Sequence, residues 1–115
     1  MTRSVHPLFI GETGKFLTVT FLNSDRSEFT ILETDTVNMV YTISGTRFTR
    51  EMTRVSDGRA ATYQWLSTDF DDMTAGDWPL QFEVVRDGLK HYFPCPKEGA
   101  EDSEVYDILR VREAL

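Results

Sequence analysis

Apolar residues recur at every second position in four stretches of the chain. In residues 16–22, Leu17, Val19 and Phe21 alternate with Thr18 and Thr20. In residues 36–43, Val37, Met39, Tyr41 and Ile43 alternate with Asn38, Val40 and Thr42. Ala61, Tyr63 and Trp65 bracket Thr62 and Gln64, and Leu80, Phe82 and Val84 bracket Gln81 and Glu83. A period of two places one side of a strand in the core and the other in water. Turn residues separate these runs. Asp57-Gly58 divides 48–55 from 60–66, and Asp87-Gly88 divides 80–85 from 89–93. Asp-Gly supplies positive φ at a tight reversal, so both pairs predict antiparallel hairpins. Gly11-Glu12-Thr13-Gly14, Asn23-Ser24-Asp25 and Ser44-Gly45 mark further reversals, and a last strand is expected over 105–112. No helical period of any length competes; residues 67–75 hold at most one helical turn. Seven to nine short strands without a helical crossover predict an all-β domain, an immunoglobulin-like antiparallel β-sandwich. A small closed barrel is the alternative, and the uneven reversals favour the sandwich.

The chain has 115 residues, enough for one domain over 1–115 with a core from about 8 to 112. Eight Phe, four Tyr and two Trp supply the apolar area that ordering the chain requires. Nineteen Asp and Glu against twelve Lys and Arg leave a net charge of −7. That balance excludes a general nucleic-acid binder and a module docking on anionic membrane. No stretch reaches the length of a membrane span and residues 1–7 lack the apolar centre of a secretory signal, so synthesis in the cytoplasm is expected. The polar, acidic loop at about 95–104 is expected to be flexible or ordered by a partner.

The order of elements adds a family resemblance. Gly11-Glu12-Thr13 precedes a strand, Asn23-Ser24-Asp25, and Phe29-Thr30-Ile31-Leu32 leading to Val37. Asp57-Gly58, Ala61-Thr62-Tyr63-Gln64-Trp65, Asp69 and Ala75-Gly76-Asp77-Trp78 come next. Phe82-Glu83-Val84, Asp87-Gly88 and Tyr92-Phe93-Pro94 close the series. Over residues 11–111 this order resembles the immunoglobulin-like structural domains of tailed phages, such as the N-terminal domain of baseplate upper proteins. Two departures are Pro79 directly after Trp78, which implies an unpaired or bulged edge there, and the long 95–104 loop. The resemblance implies a virion component without chemistry of its own. It would bind other phage virion proteins or copies of itself, as a head–tail connector, a tail or baseplate part, or a capsid decoration.

Candidate chemistry is sparse. Asp69, Asp71, Asp72 and Asp77 concentrate hard-metal ligands, but their spacing matches no defined calcium loop, and capping of a helical turn explains Asp69 and Asp72. His6 and His91 lack ligand-spaced neighbours. Cys95, in Pro94-Cys95-Pro96, reads as a free thiol, since His91 would lie roughly 13 Å away along an extended strand. No catalytic, cofactor or metal site is therefore expected, and no enzyme. Arg47, Arg50, Arg54 and Arg59 fall along one hairpin, with Arg50 and Arg54 on one face. They form a solvated face or a cationic stripe for an acidic neighbour such as Glu98, Glu101, Asp102 and Glu104 of another copy. Trp65 is expected in the core. Trp78 is expected to pack as a corner residue or to face a neighbouring subunit. Trp78 or Tyr92 is the stacking platform that an alternative function, carbohydrate or ligand binding, would use.

Overall fold

Period-two stretches become strands in the computed structural model, which describes residues 4–23, 25–94 and 106–114. The described residues form β1 (Val5–Phe9), β2 (Phe16–Val19), β3 (Thr36–Ile43), β4 (Thr46–Arg54), β5 (Ala61–Gln64), β6 (Gly76–Arg86), β7 (Leu89–Phe93) and β8 (Asp107–Arg112). One 3₁₀ turn, Ser67–Phe70, stands between β5 and β6, and there is no α-helix among the described residues. The protein is all-β. Both Asp-Gly pairs join antiparallel strands, β4 to β5 and β6 to β7. Their geometries differ. Asp87 and Gly88 both have positive φ (52° and 77°), the mirror-image turn that follows strand twist. At Asp57-Gly58 only Gly58 does (φ 75°), and a Cβ there would sit 2.4 Å from Ile31 O, so glycine is required twice over.

Hydrogen-bonded neighbours run β1-β8-β6-β3-β4-β5-β2, with β7 also on β6. This sheet of eight strands curls until it nearly closes into a barrel. The linking step is small. Residues 46–52 of β4 pair with β3, and then Thr53 and Arg54 switch to β5 opposite Thr62 and Ala61. Among the described residues no pairing between β1 and β2 closes the circle, and a seam remains.

The odd–even rule holds for the inner face, although Val40 and Glu83, expected on the solvent side of β3 and β6, are buried as well. Val37, Met39, Tyr41, Ile43, Ala61, Tyr63, Trp65, Leu80, Phe82 and Val84 are all buried. Two aromatic groups fill the ends of the curved sheet. Trp65 lies edge-on to Tyr41 and Tyr63 and tilted to Phe70. At the other end Phe21 stacks on Phe93 at 4.7 Å and tilts against Phe82. Tyr41 is 1% exposed, yet its hydroxyl has no hydrogen-bond partner among the described residues, and burial pushes its pKa up to about 12. A buried hydroxyl without a partner costs about 1–3 kcal/mol. Tyr41→Phe is therefore expected to raise the unfolding free energy by about 1 kcal/mol, measured by urea titration.

The register of β6 reveals a divided strand. Phe82 pairs with Phe93 of β7, and Leu80 pairs with Asp107 of β8, on the same edge of β6. In an unbroken strand the residue facing Leu80 would be number 95. It is number 107, so twelve extra residues interrupt one strand at the position facing Gln81. Phe93 and Asp107 both point inward, as residues two apart on one strand must. Deleting residues 94–105, which leaves Tyr106 opposite Gln81, is expected to preserve the fold. The shorter connection should add up to about 2 kcal/mol of stability. Circular dichroism and thermal unfolding check this; loss of the cooperative transition would refute the single-strand assignment. Cys95, Glu98, Glu101, Asp102, Glu104 and the whole 95–104 loop lie outside the described residues.

Pro79 is paired in register with Ile108 on the β8 side, whereas the β3 ladder ends one residue earlier at Tyr41 and Leu80. The expected break is thus confined to one side of β6. The missing proline N–H explains why a ladder stops at this point.

Candidate functional site

The aspartate cluster of the sequence separates in space. Asp69 is buried, and its carboxylate accepts hydrogen bonds from Tyr63 OH (2.6 Å), Arg50 Nε (2.7 Å) and the Leu66 N–H (2.9 Å). Burial pushes the Asp69 pKa up, but these three donors outweigh it and hold the group below its ordinary 3.8. The same contacts raise the pKa of Tyr63, where desolvation leads. Asp69 thus caps the 3₁₀ turn as expected, and it also ties that turn to β4 and β5. Asp77 instead lies on β6, bonded to Arg110 (3.0 Å) and Arg112 (3.2 Å) of β8. Asp71 and Asp72 are exposed. No group of three metal-ligating side chains occurs among the described residues.

The arginine stripe divides as well. Arg50 and Arg54 do share the inner face of β4, but Arg50 is engaged by Asp69, and Arg54 donates to Ile31 O (2.6 Å) and Ser56 O (3.1 Å). Arg47 and Arg59 remain exposed. A further arginine does work that sequence reading missed. Arg86 grips Asp35 through Nε and Nη2, donates to Thr30 O, and lies over the Phe29 ring at 4.8 Å. Its guanidinium holds the Asp35 carboxyl below the usual range. The Arg86 clamp fastens the loop before β3 to the end of β6.

Trp78 and Tyr92 make no common platform. Trp78 is half-buried against the core, with its indole N–H on Thr74 O (2.9 Å) and its ring packed over Gly76, where a Cβ would meet it at 2.8 Å. Tyr92 pairs with Glu83 on the opposite face of β6.

The remaining chemistry gathers at the seam. His6 of β1 faces inward beside Asp107, with Nε2 and Oδ2 3.0 Å apart, and its ring stands edge-on to Phe82 at 6.0 Å. A cleft of about 190 Å³ opens next to it, lined by His6, Pro7, Lys15, Phe16, Leu17, Thr18, Trp65 and Leu109. The two strands bordering the cleft are treated differently. The bonds Ile108 N to Ser4 O and Ile10 N to Arg112 O turn the even-numbered residues of β1 toward β8. Val5, Pro7 and Phe9 therefore turn their backbone groups to the seam. Pro7 has no N–H, its carbonyl accepts Lys15 Nζ (3.0 Å), and the Phe9 N–H is taken by Glu12 Oε1 (3.0 Å). On β2, the bond Trp65 N to Lys15 O turns odd-numbered residues toward β5, so Phe16 and Thr18 present their N–H and C=O groups to the seam. Among the described residues, the edge of β1 is guarded at Pro7 and Phe9, and that of β2 is open. Compared with known proteins, the chain matches no family model, no curated protein and no solved structure significantly.

Proposed function

We propose that this chain is a non-catalytic structural module of a bacteriophage virion that binds neighbouring virion proteins or copies of itself. The order of sequence elements supports the phage reading. An immunoglobulin-like sandwich is supported by β2 pairing β5, β3 pairing β6, and β1 running parallel to β8. The observation that carries the binding role is the apolar corner at the seam. Phe9 ends β1, Phe16 begins β2, and Leu66 stands two residues beyond Gln64, the partner of Phe16; they are 49%, 59% and 54% exposed. Each is already about half covered, so burying the remainder would contribute roughly 1 kcal/mol apiece, the scale on which assembly contacts operate. Synthesis in a host cytoplasm followed by incorporation into the particle fits this role.

Light scattering of the purified protein, with mass spectrometry of purified phage particles, tests the proposal. The expected result is an oligomer in solution or the chain among the virion proteins. A monomer at every concentration that is absent from particles would overturn it.

A further inference from the structure

We propose that the seam is a strand-acceptor site, taking one extended, acidic segment of a partner chain along the open edge of β2. The inference rests on the assembly role above and names its contact. Four observations converge on it. The hydrogen-bonded order ends at β2, whose outward groups at Phe16 and Thr18 match an added strand's requirements. The guarded edge of β1 restricts pairing to the β2 side. The cleft beneath has an apolar floor of Leu17, Trp65 and Leu109, and its 190 Å³ suits a single aliphatic side chain of the incoming strand. Finally, the ionisable residues lining the cleft are Lys15 and His6, in a chain of net charge −7.

Charge decides the partner's chemistry. Asp107 holds His6, and Glu12 shares Lys15 at 3.4 Å with its side chain about one-third exposed. A carboxylate on the incoming strand would draw Lys15 Nζ away from Pro7 O and exchange a neutral acceptor for a charged one, the stronger hydrogen bond. The partner segment thus alternates small apolar and polar residues and carries Asp or Glu beside Lys15.

The probe is a panel of end-blocked, fluorescein-labelled octapeptides alternating Val or Leu with Thr, ended by paired Glu or paired Lys. Acidic members are expected to bind saturably, about tenfold or more tighter than basic ones, equivalent to about 1.4 kcal/mol. Binding should slow hydrogen exchange at the Phe16 and Thr18 amides. Lys15→Met should erase the acidic preference. Thr18→Pro, which removes an outward N–H together with the exposed hydroxyl contact to Thr62 (3.2 Å), should weaken binding about tenfold or more. If that variant does not fold, amide protection in the unaltered protein decides. Absence of binding up to roughly 1 mM, or binding without protection at Phe16 and Thr18, would overturn the acceptor site. So would a homodimer that protects the same two amides, since the occupant would then be a second copy. Presence in particles together with any of these failures leaves the assembly role standing and removes the seam alone.

Discussion

Trp65→Ala is expected to lower the unfolding free energy by about 3–5 kcal/mol. The indole is 1% exposed and sits where β5 faces β3, touching Tyr41, Tyr63 and Phe70. Removing it forfeits the transfer energy of a large ring and leaves a cavity that three rigid aromatic neighbours cannot collapse into. Domains of this size have only about 5–15 kcal/mol in total, so the variant should sit close to its unfolding midpoint at 37 °C. Trp65→Phe keeps most of the ring volume and should lose markedly less. Urea denaturation followed by far-ultraviolet circular dichroism measures both. An alanine variant losing less than about 1 kcal/mol would place Trp65 outside the core.

Asp69→Ala should rank next, at about 3 kcal/mol. The cost is not the loss of an ion pair alone. Tyr63 OH and the Leu66 N–H lose their acceptor, and Arg50, with its side chain 32% exposed, retains water on one side. Asp69→Asn keeps an acceptor without the charge and should fall between parent and alanine variant. The same network predicts a pH dependence. Because the folded-state pKa of Asp69 is depressed, the unfolded chain binds more protons through the acid range, and stability rises with pH there. The contribution is complete above about pH 5 and is lost as pH falls through the unfolded value near 3.9 and then the folded one. Asp35, lowered first by its hydrogen bonds from Arg86, adds a parallel term. Comparing urea midpoints at pH 7 and pH 3 should therefore show a smaller acid loss in Asp69→Asn, with the Asp35 share remaining.

Period two made β2, β3, β5 and β6 legible, because each buries one apolar side. The Asp-Gly pairs placed β4, whose inner face carries Arg50 and Arg54, and β7, which buries only Phe93. The last strand expected over 105–112 is β8. β1 escaped for a physical reason. Its inward residues are His6 and Leu8, one of them polar, and Pro7 stands between them, so no apolar alternation marks it. The His6–Asp107 pair joins residues 101 apart in sequence, and only the parallel pairing of β1 with β8 brings them together. Asp69 was visible as a capping residue. Its larger role depends on Arg50, whose position opposite it follows from the switch of β4 between β3 and β5. That two-residue switch also joins the β2–β5 side to the rest of the curled, nearly closed sheet, and Thr53-Arg54 carries no local signal for it.

The divided strand has a consequence for how this domain can vary. Its two halves resume a single alternation, so the points where the chain departs and returns stand roughly 7 Å apart, two residues of strand. Closing a loop across such a span costs only about 0.6 kcal/mol more for each doubling of its length. Epitopes, enzyme substrates or whole small domains could be spliced in at this junction, leaving the scaffold's hydrogen-bonded frame indifferent to what it displays.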